Sequence, residues 1–393
     1  MVKGAALGVV DPSLTTTNVR VAVRCRPFND RERDMGAECC VTMTDKATTI
    51  FNPVTKQERT FTFDYSYWSF DPKAENYATQ DTVFKDLGGD VLDNAWSGYN
   101  VSLFAYGQTG SGKSYSMVGY GDDEGIIPRV CNSIFQRVEA ATSSAEVVYS
   151  VEVSMLEIYN ERVRDLFNPA ASRSGLKVRT HPKTGPYVDG LQSCGVRTYE
   201  DVYKLMERGT QARTVASTNM NATSSRAHTI FTLSITQTFL RAGETGEISS
   251  KINLVDLAGS ERSSATEGLR DEARMKEGIN INKSLSALGN CIKALAELSG
   301  DKKRADRGNK APHVPYRDSV LTLLLKESLG GNSKTIMIAA ISPAAINFDE
   351  TLNTLRYADR AKQIKTKAVK NEDANDKLIA MLQEEIRRLR EEL

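Results

Sequence analysis

Apolar residues along the 393-residue chain fall into two patterns. Six short runs are apolar almost throughout: Val19 to Val23, Val101 to Tyr106, Val148 to Tyr159, Ile230 to Leu240, Ile252 to Leu257 and Thr335 to Ile341. Such runs read as strands covered on both faces. Between them, near 80–96, 128–140, 199–209, 273–299, 318–329 and 349–364, the pattern predicts helices. Strands alternating with helices predict an α/β fold, with a central mixed, mostly parallel sheet flanked by helices. No repeat or Pro/Ser-rich linker interrupts residues 18–364, so this span is expected to form one domain behind a 1–17 extension.

The tail changes character. Residues 365–377 are polar and suit an extended linker. Then Ile379, Leu382, Ile386, Leu389 and Leu393 recur at spacings of three and four, with Glu and Arg between them. That is a seam of about two heptads, too short for a strong dimer alone. A helix packed on its own domain is the alternative. The pattern stops at Leu393 in mid-repeat, so a longer coiled coil is expected.

Composition removes several classes of function. With 40% hydrophobic and 26% charged residues the chain is not a disordered one. A net charge of +1 weighs against a nucleic-acid partner. No apolar run approaches the ~18 residues of a membrane helix, and the N-terminus lacks a convincing leader pattern. Six scattered cysteines without a CxxC pair, and three histidines, argue against a zinc site or disulfide framework. A reduced, cytoplasmic setting is the expectation.

The strongest chemical signal is Gly107-Gln108-Thr109-Gly110-Ser111-Gly112-Lys113-Ser114, which fits GxxxxGK[ST] after an apolar strand. Glycines let backbone N–H groups converge on phosphate oxygens. Lys113 would reach the β- and γ-phosphates and Ser114 would ligate Mg²⁺. A second acidic element is expected at Asp256, which ends an apolar strand and is followed by Leu-Ala-Gly259-Ser-Glu261. Neither Asn282-Lys283 nor Asn309-Lys310 continues into the NKxD pattern of a GTP site, which weakens a GTPase reading.

Three more segments complete the set: Arg24-Cys25-Arg26-Pro27, Asn221-Ala-Thr-Ser224-Ser225-Arg226 and Asp256 to Glu261. With Gly107 to Ser114, and with Ser284 to Gly289 and Tyr357 to Ala361, the chain over 18–364 resembles the kinesin motor domain. Tyr115 after the phosphate loop, the basic loop near 302–310 and Asn371-Glu372-Asp373 make it most similar to the kinesin-3 subfamily.

The resemblance implies a P-loop, three-layer motor fold that hydrolyses ATP with Mg²⁺ and works on microtubules. It implies a neck linker over 365–375, a neck helix over 376–393, plus-end motion and a cytoskeletal location. Arg24, Arg26 and Pro27 should flank the adenine, with Tyr115 stacking from the other side. Ser225, with Ser224 beside it, should approach Mg²⁺ and the attacking water. Arg226 and Glu261 should pair to close the site, Gly259 should sense the γ-phosphate through its N–H, and Asn282 should help place a second water. Asn371 should latch the linker to the core.

For the acidic track, residues 301–317 offer Lys302, Lys303, Arg304, Arg307, Lys310 and Arg317 against Asp301 and Asp306. Lys283, Lys293, Tyr316 and Lys326 extend this patch, and Lys177, Arg179 and Lys183 add a second loop. Departures from the family pattern are Ala222, Ala227 and a 263–276 stretch about two residues long in excess, carrying Asp271-Glu272. A non-motile or depolymerising microtubule-binding ATPase is the alternative to a motor.

Overall fold

The structure is a computed structural model that describes residues 14–141, 147–172, 174–182, 185–219, 224–241, 244–261, 272–300 and 313–372. Its centre is a nine-stranded sheet. In chain order the strands are β1 (Arg20–Cys25), β2 (Tyr65–Trp68), β3 (Val101–Tyr106), β4 (Val147–Tyr159), β5 (Arg162–Asp165), β6 (Cys194–Val196), β7 (His228–Arg241), β8 (Glu244–Asp256) and β9 (Lys334–Ile341). Across the sheet the order is β5-β4-β7-β8-β3-β9-β1-β2, with β6 also on β4.

The sheet is mixed, and its parallel share is one half. Neighbours from β8 through β3, β9 and β1 to β2 run parallel. Those from β8 outward through β7 and β4 to β5 and β6 run antiparallel. The long β7–β8 hairpin forces this, because strands joined by a tight connection must reverse. Asn160 and Glu161, both at positive φ, make the same reversal between β4 and β5.

Alternation along the strands builds three layers. Val21, Val23, Phe104, Val255, Met337 and Ala339 point to one face. Ala22, Leu103, Ala105, Leu254, Ile336 and Ile338 point to the other. The helices that cover the sheet or carry the site are α1 (Gly89–Trp96), α2 (Lys113–Met117), α3 (Ile126–Ala141), α4 (Tyr199–Asn219), α5 (Glu272–Gly300) and α6 (Phe348–Ala361). α5 and α6 cover the first face through Leu285, Leu288, Ile292, Leu352 and Leu355. α1, α3 and α4 cover the second through Val91, Leu92, Val130, Ile134 and Val202.

Three helical expectations change in detail. The 80–96 helix carries a π-helical turn at Phe84–Gly88. The helix expected at 199–209 runs on to Asn219. The 318–329 pattern becomes a 3₁₀ turn at Tyr316–Asp318 and a short helix, Val320–Leu324. There Ser319 is extended, and its side chain caps Thr322, which starts a new helix instead of continuing the turn.

The termini carry the largest addition to the sequence reading. Leu14–Asn18 pairs antiparallel with Lys365–Val369, so part of the N-terminal extension forms a ribbon with the first half of the linker. Thr366 and Ala368 are buried beneath it. The remaining linker residues 373–375 and the helix expected at 376–393 lie outside the described residues.

Candidate functional site

The phosphate loop emerges from the C-terminal end of β3, which has parallel neighbours on both sides. Gly107, Gly110 and Gly112 have φ of 151°, 73° and 99°. A Cβ on Gly107 would lie 2.2 Å from the Ala340 carbonyl oxygen, so β9 packs where only glycine fits. Lys113, 7% exposed, donates to the Gly107 and Gln108 carbonyls at 2.9 and 2.8 Å. Burial lowers the pKa of this ammonium. A bound anion would offset that desolvation.

Ser114 Oγ donates to Asp256 Oδ2 at 2.6 Å. Asp256 Oδ1, Ser111 Oγ and Gln108 Oε1 are buried without a protein partner. Burial raises the pKa of Asp256, and the Ser114 bond and the Lys113 charge oppose that rise. A hydroxyl beside a carboxylate with one free oxygen is a hard donor set that suits Mg²⁺. The loop's positive-φ glycines and open Ser111 hydroxyl suit phosphate oxygens. The residues therefore fit both groups.

Two segments flank the loop. Ser224–Arg226 forms a 3₁₀ turn, and Asp256 to Glu261 continues from β8. They are tied together, because Gly259 N–H donates to the Ser225 carbonyl at 2.8 Å. In this arrangement the Gly259 N–H, expected to sense the γ-phosphate, is spent on Ser225. The Glu261 carboxylate accepts from the Thr109 N–H at 2.7 Å and from the Thr109 hydroxyl. A Cβ on Gly259 would meet the Thr109 hydroxyl at 2.2 Å, so this clasp also requires glycine. Asn221 to Thr223, and the lengthened stretch from 262 to 271, lie outside the described residues, as do the side chains of Ser224 and Asn282.

On the base side, Arg24 is buried and bonds its guanidinium to Ser69, Gln80 and Ser116, at 3.0, 2.7 and 3.1 Å. Its Cζ lies 5.0 Å from the Tyr115 ring centroid, a cation–π contact that steadies the ring expected to stack on the adenine. Arg26 lies against the phosphate loop, donating to the Gly110 carbonyl at 2.6 Å and to both oxygens of Glu32. Pro27 is exposed beside it, and the Tyr115 hydroxyl is held by Asp123.

The opposite end of the same strands holds the linker. Asn371 N–H donates to the Gly98 carbonyl, and Ser249 N–H to the Asn371 carbonyl. The Asn371 side chain gives hydrogen bonds to Asn100 Oδ1 and the Ser249 carbonyl at 3.0 Å, and accepts one from Asn332 at 3.1 Å. Asn332 in turn accepts from Val369 N–H at 2.7 Å.

Of the expected track contacts, Lys283, Lys293, Arg317, Lys326 and Lys177 are exposed. They come from α5, from the 316–326 segment and from the 177–189 hairpin that packs beside Val320–Leu324. Arg179 is exposed and paired with Asp189 at 2.6 Å. Tyr316 is half-buried against the core and its hydroxyl donates to the Leu329 carbonyl. Lys302, Lys303, Arg304, Arg307, Lys310 and Lys183 lie outside the described residues.

One residue was not foreseen. His228, 2% exposed, opens β7 two residues after the Ser224–Arg226 turn. Its Nδ1 lies 3.0 Å from Ala258 N and its Nε2 2.8 Å from Ser284 Oγ. The only signal in the sequence was its position beside that turn.

The kinesin motor domain family model matches residues 24–364. Similar proteins include Kinesin-related protein 1 of Dictyostelium discoideum, 55% identical over 95% of this chain and 17% of that protein. Kinesin-like protein KIF1A of Rattus norvegicus is 53% identical over 95% of this chain and 22% of its own length. Kinesin-like protein unc-104 of Caenorhabditis elegans is 53% identical over 95% and 24%. KIF1A and unc-104 are kinesin-3 proteins. The chain spans 17–34% of the length of the curated relatives it matches. Among solved structures, a KIF14 dimer bound by two heads to a microtubule with AMP-PNP superposes with a TM-score of 0.83 at 47% identity, covering 94% of this chain and all of that one. A fast kinesin follows at 0.79 and 41%, covering 91% of this chain and 94% of the other.

Proposed function

The chain belongs to the kinesin family, and from that premise we propose that it is a Mg²⁺-dependent, microtubule-stimulated ATPase whose hydrolysis cycle drives plus-end movement. One observation carries this reading. A phosphate loop with a buried lysine and a half-satisfied aspartate sits at one end of β3, and the 365–371 segment lies against the other. A site for ATP and a docked mechanical element share the same strands.

In this reading, Lys113 and the loop N–H groups hold the phosphates, while Ser114, Ser225 and Asp256 hold Mg²⁺. The bound metal would neutralise charge on the β- and γ-phosphate oxygens. Arg226 and Glu261 close the site, which requires Glu261 to leave Thr109. Gly259 reaches the γ-phosphate only by leaving the Ser225 carbonyl. Both departures are short local movements of the kind that a γ-phosphate commands in switch loops. The linker, latched by Asn371, is the output.

The exposed Lys177, Lys283, Lys293, Arg317 and Lys326 form a basic face for an acidic track, and a basic 302–310 loop would add to it. Such attraction raises the capture rate and is screened by salt. A microtubule partner places the protein on the cytoplasmic cytoskeleton. The similar KIF14 structures, which are complexes with a microtubule, support that partner.

The test is ATP turnover with and without microtubules at two salt concentrations. Strong stimulation that weakens with salt is expected, and Arg226→Ala should lose about 10²-fold or more. Turnover indifferent to microtubules would contradict the motor reading.

A further inference from the structure

His228 ties the 256–261 segment to the long helix through a single side chain. It stands two residues after the Ser224–Arg226 turn. Ala258 lies between Asp256 and Gly259, and Ser284 lies on α5 next to exposed Lys283. Ala258 N–H can only donate, so Nδ1 is the acceptor. The ring proton therefore sits on Nε2 and is donated to Ser284 Oγ, 2.8 Å away. Burial keeps the ring neutral, lowering its pKa to about 3. Ser284 is itself 3% exposed, so water does not compete for this bond.

We infer that His228 is a positioning residue: a rigid, single-tautomer strut that carries movement of the 256–261 segment to α5 and so to the track-facing surface. The inference deepens the motor reading and rests on it for the identity of the track. Gly259 is bonded to Ser225, and Ala258 to the ring three residues further on. Two adjacent ties thus move the two segments as a pair. An imidazole has no internal torsion, so a displacement of Ala258 reaches Ser284 without being absorbed by a flexible chain. Ser284 stands at the first turn of α5 whose side chains are described, close to Lys283.

Ser284→Ala cuts one arm of the strut and leaves the ring on Ala258. Ser284→Thr keeps the hydroxyl. Two measurements apply: amide hydrogen exchange along 284–299 in ADP against a non-hydrolysable ATP analogue without microtubules, and the ratio of stimulated to basal ATP turnover. In the wild type the exchange differs between nucleotides. Ser284→Ala should lose most of that difference, its stimulation ratio should fall about fivefold or more, and Ser284→Thr should recover both. A histidine that merely fills space would lower the melting temperature of Ser284→Ala and leave difference and ratio intact, which overturns the inference. A wild type without a nucleotide-dependent exchange difference overturns it too. If the difference exists and is lost in Ser284→Ala but microtubules never stimulate turnover, the strut stands and the motor reading falls.

Discussion

The two ends of the parallel strands differ in how their polar groups are satisfied. At the C-terminal ends of β3 and β8, three buried oxygens on Gln108, Ser111 and Asp256 lack a protein partner, out of five such atoms among the described residues. Lys113 is buried there against backbone carbonyls alone. At the N-terminal ends, Asn100, Asn332 and Asn371 close on one another and on Ser249 and Val369. Lys334 also finds Asn94 there, at 2.7 Å. An unmade buried hydrogen bond costs about 1–3 kcal/mol, so a fold keeps several in one place only where something else completes them. The first end gathers three such atoms and is built to receive a ligand, whereas the second leaves only Ser250 Oγ unmet among the described residues and is otherwise completed by the chain's own segment.

The largest effect should come from the open end. Lys113→Ala should lower ATP turnover by at least about 10²-fold while the Lys334 amide, bonded to the Asn100 carbonyl at the closed end, stays protected from exchange. Loss of that protection would mean that the two ends are not separately built.

Acid should also distinguish them. His228 is neutral in the fold, with its pKa lowered from 6.5 to about 3 by burial, so the unfolded chain binds the extra proton first. Stability is fully present above pH 6.5 and falls between that value and pH 3, by about 2 kcal/mol from pH 7 to pH 5. Chemical denaturation across this range measures the slope, and His228→Gln should lack that share of it. Amides of 256–261 should become exchangeable before those around Gly98 and Asn371.

A smaller effect is expected at the closed end. Asn371→Ala removes three side-chain hydrogen bonds, worth about 1 kcal/mol each at most after solvation. Gliding speed should fall severalfold while microtubule-stimulated turnover changes less than about twofold. An equal fall in both would place Asn371 in the hydrolysis cycle instead of its output.

How much of this was legible in the sequence depended on how local each constraint is. Gly107 to Ser114 could be read because a phosphate loop sets its own glycines, lysine and hydroxyl within eight residues. The core strands could be read because burial on both faces leaves an unbroken apolar run. The pairing of Leu14–Asn18 with Lys365–Val369 could not, since both segments are short, mostly polar and 349 residues apart at Thr17 and Thr366. Arg24 matched a motif by residue type, but a motif does not say where a guanidinium points, and here it points inward to Ser69, Gln80 and Ser116. His228 stayed silent because both of its partners, Ala258 and Ser284, are remote in sequence and carry no charge.

The central claim is that the open end governs the closed one. The most direct measurement is the distance between a probe on the exposed Lys367 and a probe on the exposed Glu139 of α3, read by energy transfer in single molecules, first in ADP and then in a non-hydrolysable ATP analogue. The account predicts two populations whose balance shifts to the docked distance with the analogue, and no such shift in Lys113→Ala. An identical distribution in both nucleotides would contradict it.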